Sequence, residues 1–437
     1  VPHFEKMLYD NAGLLSNYVH AWQLTGAPLF RETAEGILAW VDEVLSDRAK
    51  GGYYTSQDAD VGLEDDGDYF TWTLDEAQHA LPAEEARVLA LRYDIGEKGE
   101  MHHDPKRNVL YLAATPEEIA QELSMPPDRV NALLASGKAR LKAARDRRTP
   151  PAVDRTIYAS WNGMMVSAAL EAAMAFGRDD VTAFALKTLK RLWKTLWTPD
   201  QGMWHALGDE KRKVHGLIED HVFMVEACLA AHTATGDVAW QRRAEEAMAY
   251  ALTHFWDSKN PGFTDLAEDV RETAELSLRE IRRRPLDDSP YAGANAVAAL
   301  CLQRLYALTG NDDYRLHHDE IVTGFAGEAA RYGPIFCGTY FLAAELWLHP
   351  RAEIVLLGPR DEPRAQRLAA VARETYAPGK TILVADDKES YVPDAVEHMR
   401  KTAEARAGPV AFVCQGTTCS PPTADPDRLR ALLRGIP

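Results

Sequence analysis

Three histidines stand beside acidic and aromatic side chains in a pattern that suits proton transfer. His3 opens the run His3-Phe4-Glu5, His205 follows Trp204, and His221 closes Glu219-Asp220-His221. Imidazole is a poor helix cap, yet His3 and His221 both sit just ahead of a strongly apolar helical run, and histidine takes and returns protons near neutral pH. His3 with His221 or His205 would supply the two groups near neutral pKa, and with Asp220 as a candidate carboxylate, His3, His221, His205 and Asp220 are the predicted catalytic set. The surrounding residues are those that hold a sugar: Glu5, Tyr9, Asp10, Asn11, Asp58, Asp60, Trp161, Asn162, Glu219, Asp288, Tyr291 and Asn295. Aromatic faces stack on pyranose rings, while carboxylates and amides fix hydroxyls. The expected chemistry is epimerase- or isomerase-like: a proton is removed α to the carbonyl of an open-chain saccharide and returned. It requires no metal and no organic cofactor. Two other readings stand beside it. Asp60 with Asp220 or Asp288 would serve a glycoside hydrolase if the pair lay roughly 5 to 10 Å apart. A non-catalytic glycan- or protein-binding domain would need the same groups without the proton transfer.

The elements that position these residues repeat. A helical run at 6–24 stops at Thr25-Gly26 and is followed by a second at 29–45. The unit returns at 164–175 and 181–196, at 222–234 and 240–255, and at 294–308 and 314–330, with Gly177, Gly236 and Gly310 at the breaks, where a left-handed C-cap is needed. The first run of each pair is apolar on nearly every side and must be buried; the second carries a charged face and must lie outside. Alternating inner and outer helices predict a mainly α chain, a closed α/α toroid of helical hairpins with a last inner helix at 335–348. In such a ring the inner N-termini share one mouth, and the polar residues named above precede or open those helices. The toroid is expected over 1–350, with an insertion at 99–152 and a loop and short hairpin at 51–73 over the mouth. Strand, helix and strand patterns from residue 353 onward predict a small α/β segment over 351–437.

Composition bounds the rest. The 437 residues are 46% hydrophobic and 26% charged, with a formal net charge of −17, which repels phosphate backbones and anionic lipid. Nucleic acid and membrane are excluded as expected partners, no apolar stretch reaches the roughly 20 residues of a membrane helix, and a cytoplasmic location is expected. A helix-turn-helix-like stretch at 115–134, with basic residues beyond it, reads as a solvated insertion against that charge. Five scattered cysteines suit a reducing compartment, and the C-x4-C spacing of Cys414 and Cys419 departs from that of redox and zinc pairs.

The motifs Pro2-His-Phe-Glu-Lys-Met-Leu-Tyr-Asp-Asn11, Asp58-Ala-Asp60, Ser160-Trp-Asn-Gly163, Glu219-Asp220, Phe412-Val-Cys414 and Cys419-Ser-Pro-Pro occur in an order that resembles the thioredoxin-domain-containing proteins related to spermatogenesis-associated protein 20. The resemblance runs over essentially the whole chain. It implies an (α/α)6 toroid of the six-hairpin glycosidase type, similar to N-acylglucosamine 2-epimerase and cellobiose epimerase. It also implies an upstream thioredoxin-like domain as a partner, this chain being a C-terminal portion of a longer protein. Two departures stand out: Glu219-Asp220-His221 replaces the family's Asp-Asp-Tyr, and Pro290-Tyr-Ala-Gly-Ala-Asn295 replaces a Pro-Ser-Gly-Asn-Ser turn.

Overall fold

The computed structural model describes residues 1–62, 65–273, 282–349, 352–377, 379–386, 393–402, 407–416 and 418–435. Two compact units result: Val1–Met7 with Ser56–Asp154, and Leu8–Thr55 with Arg155–Pro437.

The larger unit is built from helical hairpins. Its inner helices are Leu8–Thr25, Ala159–Phe176, Ile218–Thr235, Ala294–Thr309 and Gly338–Leu348. Each packs on the next in that order, and the first four pack on their own outer helices, Pro28–Val44, Asp179–Leu196, Val238–His254 and Asp312–Tyr332. This is the α/α toroid architecture expected from the periodicity. The second and third inner helices bury about two thirds of their residues and expose none, as an all-round apolar helix must. Gly26, Gly177, Gly236 and Gly310 follow the four inner helices with φ of 69–72°, the left-handed conformation that closes a helix at little cost only for glycine.

The second and third inner helices approach closely at Gly163, where a Cβ would lie 2.6 Å from the Phe223 carbonyl oxygen. Gly163→Ala is therefore expected to force the helices apart and cost about 1–3 kcal/mol, the usual scale of overpacking. Calorimetry should show a lowered melting temperature; an unchanged one would mean the helices can slide without loss.

A second device repeats where the chain leaves each of the first three outer helices. Ser46 bridges Tyr53, Trp197 pairs with Met203, and Trp256 bridges Phe263, so three tight returns are each preceded by a glycine at 52, 202 or 262. Each return is then held by a polar side chain of the following inner helix: Asn162 on Tyr53, His221 on Met203 and Asn295 on Phe263.

The C-terminal portion of this unit is a four-stranded sheet in the order Thr418–Cys419, Val410–Gln415, Ala352–Leu357, Thr381–Ala385. The last two strands are parallel and are joined through the helix Pro363–Glu374; the other pairs are antiparallel. Ile354, Leu356, Leu368, Ala372, Ile382, Val413 and Leu429 form its core. Four strands bury little by themselves, and the helix Pro363–Glu374 packs on the second inner helix while Thr381–Ala385 packs on the third and fourth.

The smaller unit pairs Lys6–Met7 with Ser56–Gln57 and the latter with Val153–Asp154. Its helices Leu74–Ala80, Ala83–Tyr93, Pro116–Leu123 and Pro127–Arg145 share a core of Trp72, Val88, Leu89, Ile119, Val130 and Leu133. Thr73 and Thr115 open two of them with reciprocal capping boxes. Several of the basic residues beyond the helix-turn-helix-like stretch are engaged internally: Arg140 with Glu85, Lys142 and Arg145 with Asp146, and Arg148 with the carbonyls of Asp68, Tyr69 and Thr71. Among the described residues no helix is long and apolar enough to cross a membrane.

Candidate functional site

At the N-terminal ends of the inner helices, the larger unit assembles an aromatic cluster with the His205 imidazole beside it. Tyr9 lies edge-on to Trp161 at 4.7 Å between ring centroids and 5.3 Å from Tyr291, and Tyr158 meets Trp161 at 5.0 Å. Tyr291 donates its phenolic hydrogen to Glu219 Oε2 at 2.9 Å. Burial first, and then the neighbouring Glu219 charge, push the Tyr291 hydroxyl far above its ordinary range, so it stays protonated and donates.

His205 projects from the strand Gly202–Gly208 and tilts against Tyr158 at 4.7 Å. Its Nδ1 lies 3.0 and 3.1 Å from the two oxygens of Asp220, a residue with no exposed surface that also accepts the Ser160 N–H at 3.1 Å. An ionised carboxylate only accepts, so Nδ1 carries the hydrogen and Nε2 is left with the lone pair. Burial alone would depress the His205 pKa; the hydrogen bond and charge of Asp220, with Glu219 behind it, outweigh burial and hold it above the ordinary histidine value. Glu219 moves upward too, chiefly through burial and then through the charge of Asp220. The site thus contains a basic nitrogen fixed by a buried carboxylate, and beside it a half-buried carboxyl biased toward its protonated form.

The other predicted residues sort clearly. His221 is fully buried, accepts the Met203 N–H at Nε2 (3.0 Å) and donates from Nδ1 to the Leu217 carbonyl (2.9 Å). Both ring nitrogens serve the backbone, so the structure gives it a holding role in place of the predicted catalytic one. Asn162 and Asn295, both without exposed surface, do the same: one amide brackets Tyr53 and Tyr158, the other Phe263 and Pro285, at 2.7–2.9 Å. Asp288 accepts from Gly293 N at 3.0 Å and Thr339 N at 2.8 Å, anchoring the last inner helix. Asp10 is exposed and Asn11 half-buried on the first turns of the first inner helix, near Tyr9. His3, Glu5, Asp58 and Asp60 belong to the smaller unit, where His3 and Asp58 are exposed and Asp60 Oδ1 accepts the Gly67 N–H at 2.9 Å. Tyr158 was missed by the sequence reading; its signal is an aromatic residue three positions before Trp161.

His205, Glu219 and Asp220 also have ligand atoms within 4.8 Å of one another, so this trio has the composition and spacing to hold a divalent cation.

The buried state of His221 has a consequence for stability. Burial lowers its pKa from 6.5 to about 4, so the unfolded chain takes up its proton first as pH falls. The contribution is present above pH 6.5 and is lost progressively toward pH 4; by linkage it amounts to roughly 3 kcal/mol. Urea unfolding at pH 7.5 and pH 4.5 should show this loss, and His221→Gln should flatten it. Equal slopes in both proteins would remove His221 from the account.

The N-acylglucosamine 2-epimerase family model matches residues 148–274, across the second and third hairpins. Human spermatogenesis-associated protein 20 is 29% identical over 99% of this chain, and the chain spans 58% of that protein's length; the mouse protein is 28% identical over the same share. Among solved structures, cellobiose 2-epimerase from Bacillus thermoamylovorans B4167 is similar with a TM-score of 0.44 and 7% identity over 74% of this chain and 61% of the other. A D-mannose isomerase gives 0.37 and 12% over 74% and 76%. The chain is homologous to spermatogenesis-associated protein 20 along almost its full length and carries an N-acylglucosamine 2-epimerase-like segment at the hairpins that supply His205, Glu219 and Asp220.

Proposed function

We propose that the mouth of the larger unit binds a saccharide and performs epimerase- or isomerase-like acid–base chemistry on it. The observation that carries this reading is the His205–Asp220 pair set beside the Trp161, Tyr9 and Tyr291 rings. In this mechanism the sugar stacks on Trp161 and presents its open-chain carbonyl. Nε2 of His205 removes the proton on the adjacent carbon, and Asp220 stabilises the imidazolium that forms. The Tyr291 hydroxyl, which donates to Glu219 at 2.9 Å, would turn to hydrogen-bond the developing enediolate oxygen. Return of the proton from His205 to the former carbonyl carbon, with a proton passing from one enediolate oxygen to the other, gives isomerisation; epimerisation follows when the enediolate turns its other face to the protonated Nε2 before the proton returns.

The hydrolase alternative is less well supported, because Asp220 is consumed by His205 and Ser160 and Asp288 by two backbone N–H groups. Incubating the protein with a panel of mono- and disaccharides in D2O and following C2 by NMR tests the proposal. Deuterium at C2, retained after EDTA treatment, is expected. Hydrolysis without exchange would favour paired carboxylates, exchange abolished by EDTA would mean the trio works as a cation site, and neither reaction would leave a binding domain.

A further inference from the structure

Cys414 and Cys419 face each other in the antiparallel hairpin that ends the C-terminal sheet, with Cα atoms 3.9 Å apart and a disulfide between them. The sequence spacing gave no reason to expect the bond; the register supplies it. The two sulfurs live in different surroundings. Cys414 is buried in Val410–Gln415, an interior strand, whereas Cys419 is exposed on the outermost strand.

The bridge contributes little to the fold. It closes only five positions of sequence, the kind of loop whose cross-linking constrains the unfolded chain least. The same corner is held independently: Ser420 N–H donates to the Val413 carbonyl, Val413 N–H to Ser420 Oγ, and Ala411 and Thr423 exchange two backbone hydrogen bonds. The remaining cysteines offer no rival sulfur at the surface. Cys228, Cys301 and Cys337 are buried free thiols, and burial pushes the first of them up to about 12.

We propose that the Cys414–Cys419 disulfide is a thiol-exchange site that accepts two electrons from an external dithiol. The thiolate of the incoming dithiol attacks Cys419 Sγ, the exposed sulfur; the S–S bond breaks, and Cys414 leaves as a thiolate that takes a proton. The second thiol of the reagent then attacks its own sulfur in the mixed disulfide, forming the oxidised reagent and releasing Cys419 as a thiol. A monothiol cannot finish this sequence alone, because the register keeps Cys414 opposite Cys419, ready to expel it and remake the bridge.

Native protein treated with dithiothreitol, or with glutathione at equal thiol concentration, then acid-quenched, alkylated and mapped by mass spectrometry, tests this. Dithiothreitol should expose Cys414 and Cys419 to alkylation while Cys228, Cys301 and Cys337 stay unlabelled; glutathione should leave the bridge mostly intact. In Cys414→Ser, glutathione disulfide should load Cys419 stoichiometrically, whereas in Cys419→Ser it should leave Cys414 unmodified. The double serine variant should melt within about two degrees of the parent. A bridge that resists dithiothreitol until urea unfolds the chain, or a double variant that no longer folds, would make the bond structural and overturn the proposal. Loading of Cys414 in preference to Cys419 would overturn the direction of attack.

Discussion

His205→Gln is expected to lower saccharide-dependent deuterium exchange by about 10²- to 10⁴-fold, the range over which a positioned general base contributes. Its melting temperature should also fall, since the variant leaves the buried Asp220 carboxylate with only the Ser160 N–H, so exchange is compared at a temperature where both proteins are folded. The companion variant Asp220→Asn separates positioning from contact. Asp220 touches His205 and the Ser160 N–H, and its charge raises the His205 pKa. Exchange by the parent should fall as pH drops through that raised pKa, because protonated Nε2 cannot act as a base. In Asp220→Asn the acid limb should move to lower pH, with a large fall in turnover and a small change in KM. An acid limb that stays in place would show that another group sets it.

Asn295→Ala carries the largest expected effect on stability. The variant leaves the Phe263 N–H without its acceptor and the Phe263 carbonyl without its donor, in a place with no exposed surface, while the Pro285 carbonyl keeps the backbone N–H of residue 295. Unsatisfied buried groups of this kind cost about 1–3 kcal/mol each, so a total of about 2–6 kcal/mol is expected, and Asn162→Ala should behave alike. Chemical unfolding measures it. Variants that remain as stable as the parent but lose sugar exchange would return both asparagines to the binding role the sequence suggested.

That exchange of roles shows what the sequence could convey. Glycine-ended pairs of apolar and amphipathic runs disclosed the hairpins, because helix burial and helix termination are local matters. The polar residues at each inner N-terminus were equally visible, but their purpose was not. Asn162 holds Tyr53 across 109 positions and Asn295 holds Phe263 across 32. Nothing in the local pattern of Ser160-Trp161-Asn162 says whether the amide faces a ligand or a neighbouring strand. A glycine and a large apolar or aromatic residue just beyond each of the first three outer helices, at 52–53, 202–203 and 262–263, are the signals that reveal the bracket once all three are compared. His205 could be proposed from composition, yet its special standing rests on Asp220 lying beneath it, which only the pairing of the strand Gly202–Gly208 with its neighbours establishes.

The most direct test of the saccharide reading is the structure of the protein with a substrate sugar or an enediolate mimic in the crystal. The expected density lies against Trp161 and Tyr9, with the carbon α to the carbonyl about 3–3.5 Å from His205 Nε2 and the carbonyl oxygen toward Glu219 and Tyr291. A sugar bound with that carbon out of reach of His205, or no sugar at the aromatic cluster at concentrations that support exchange, would contradict it.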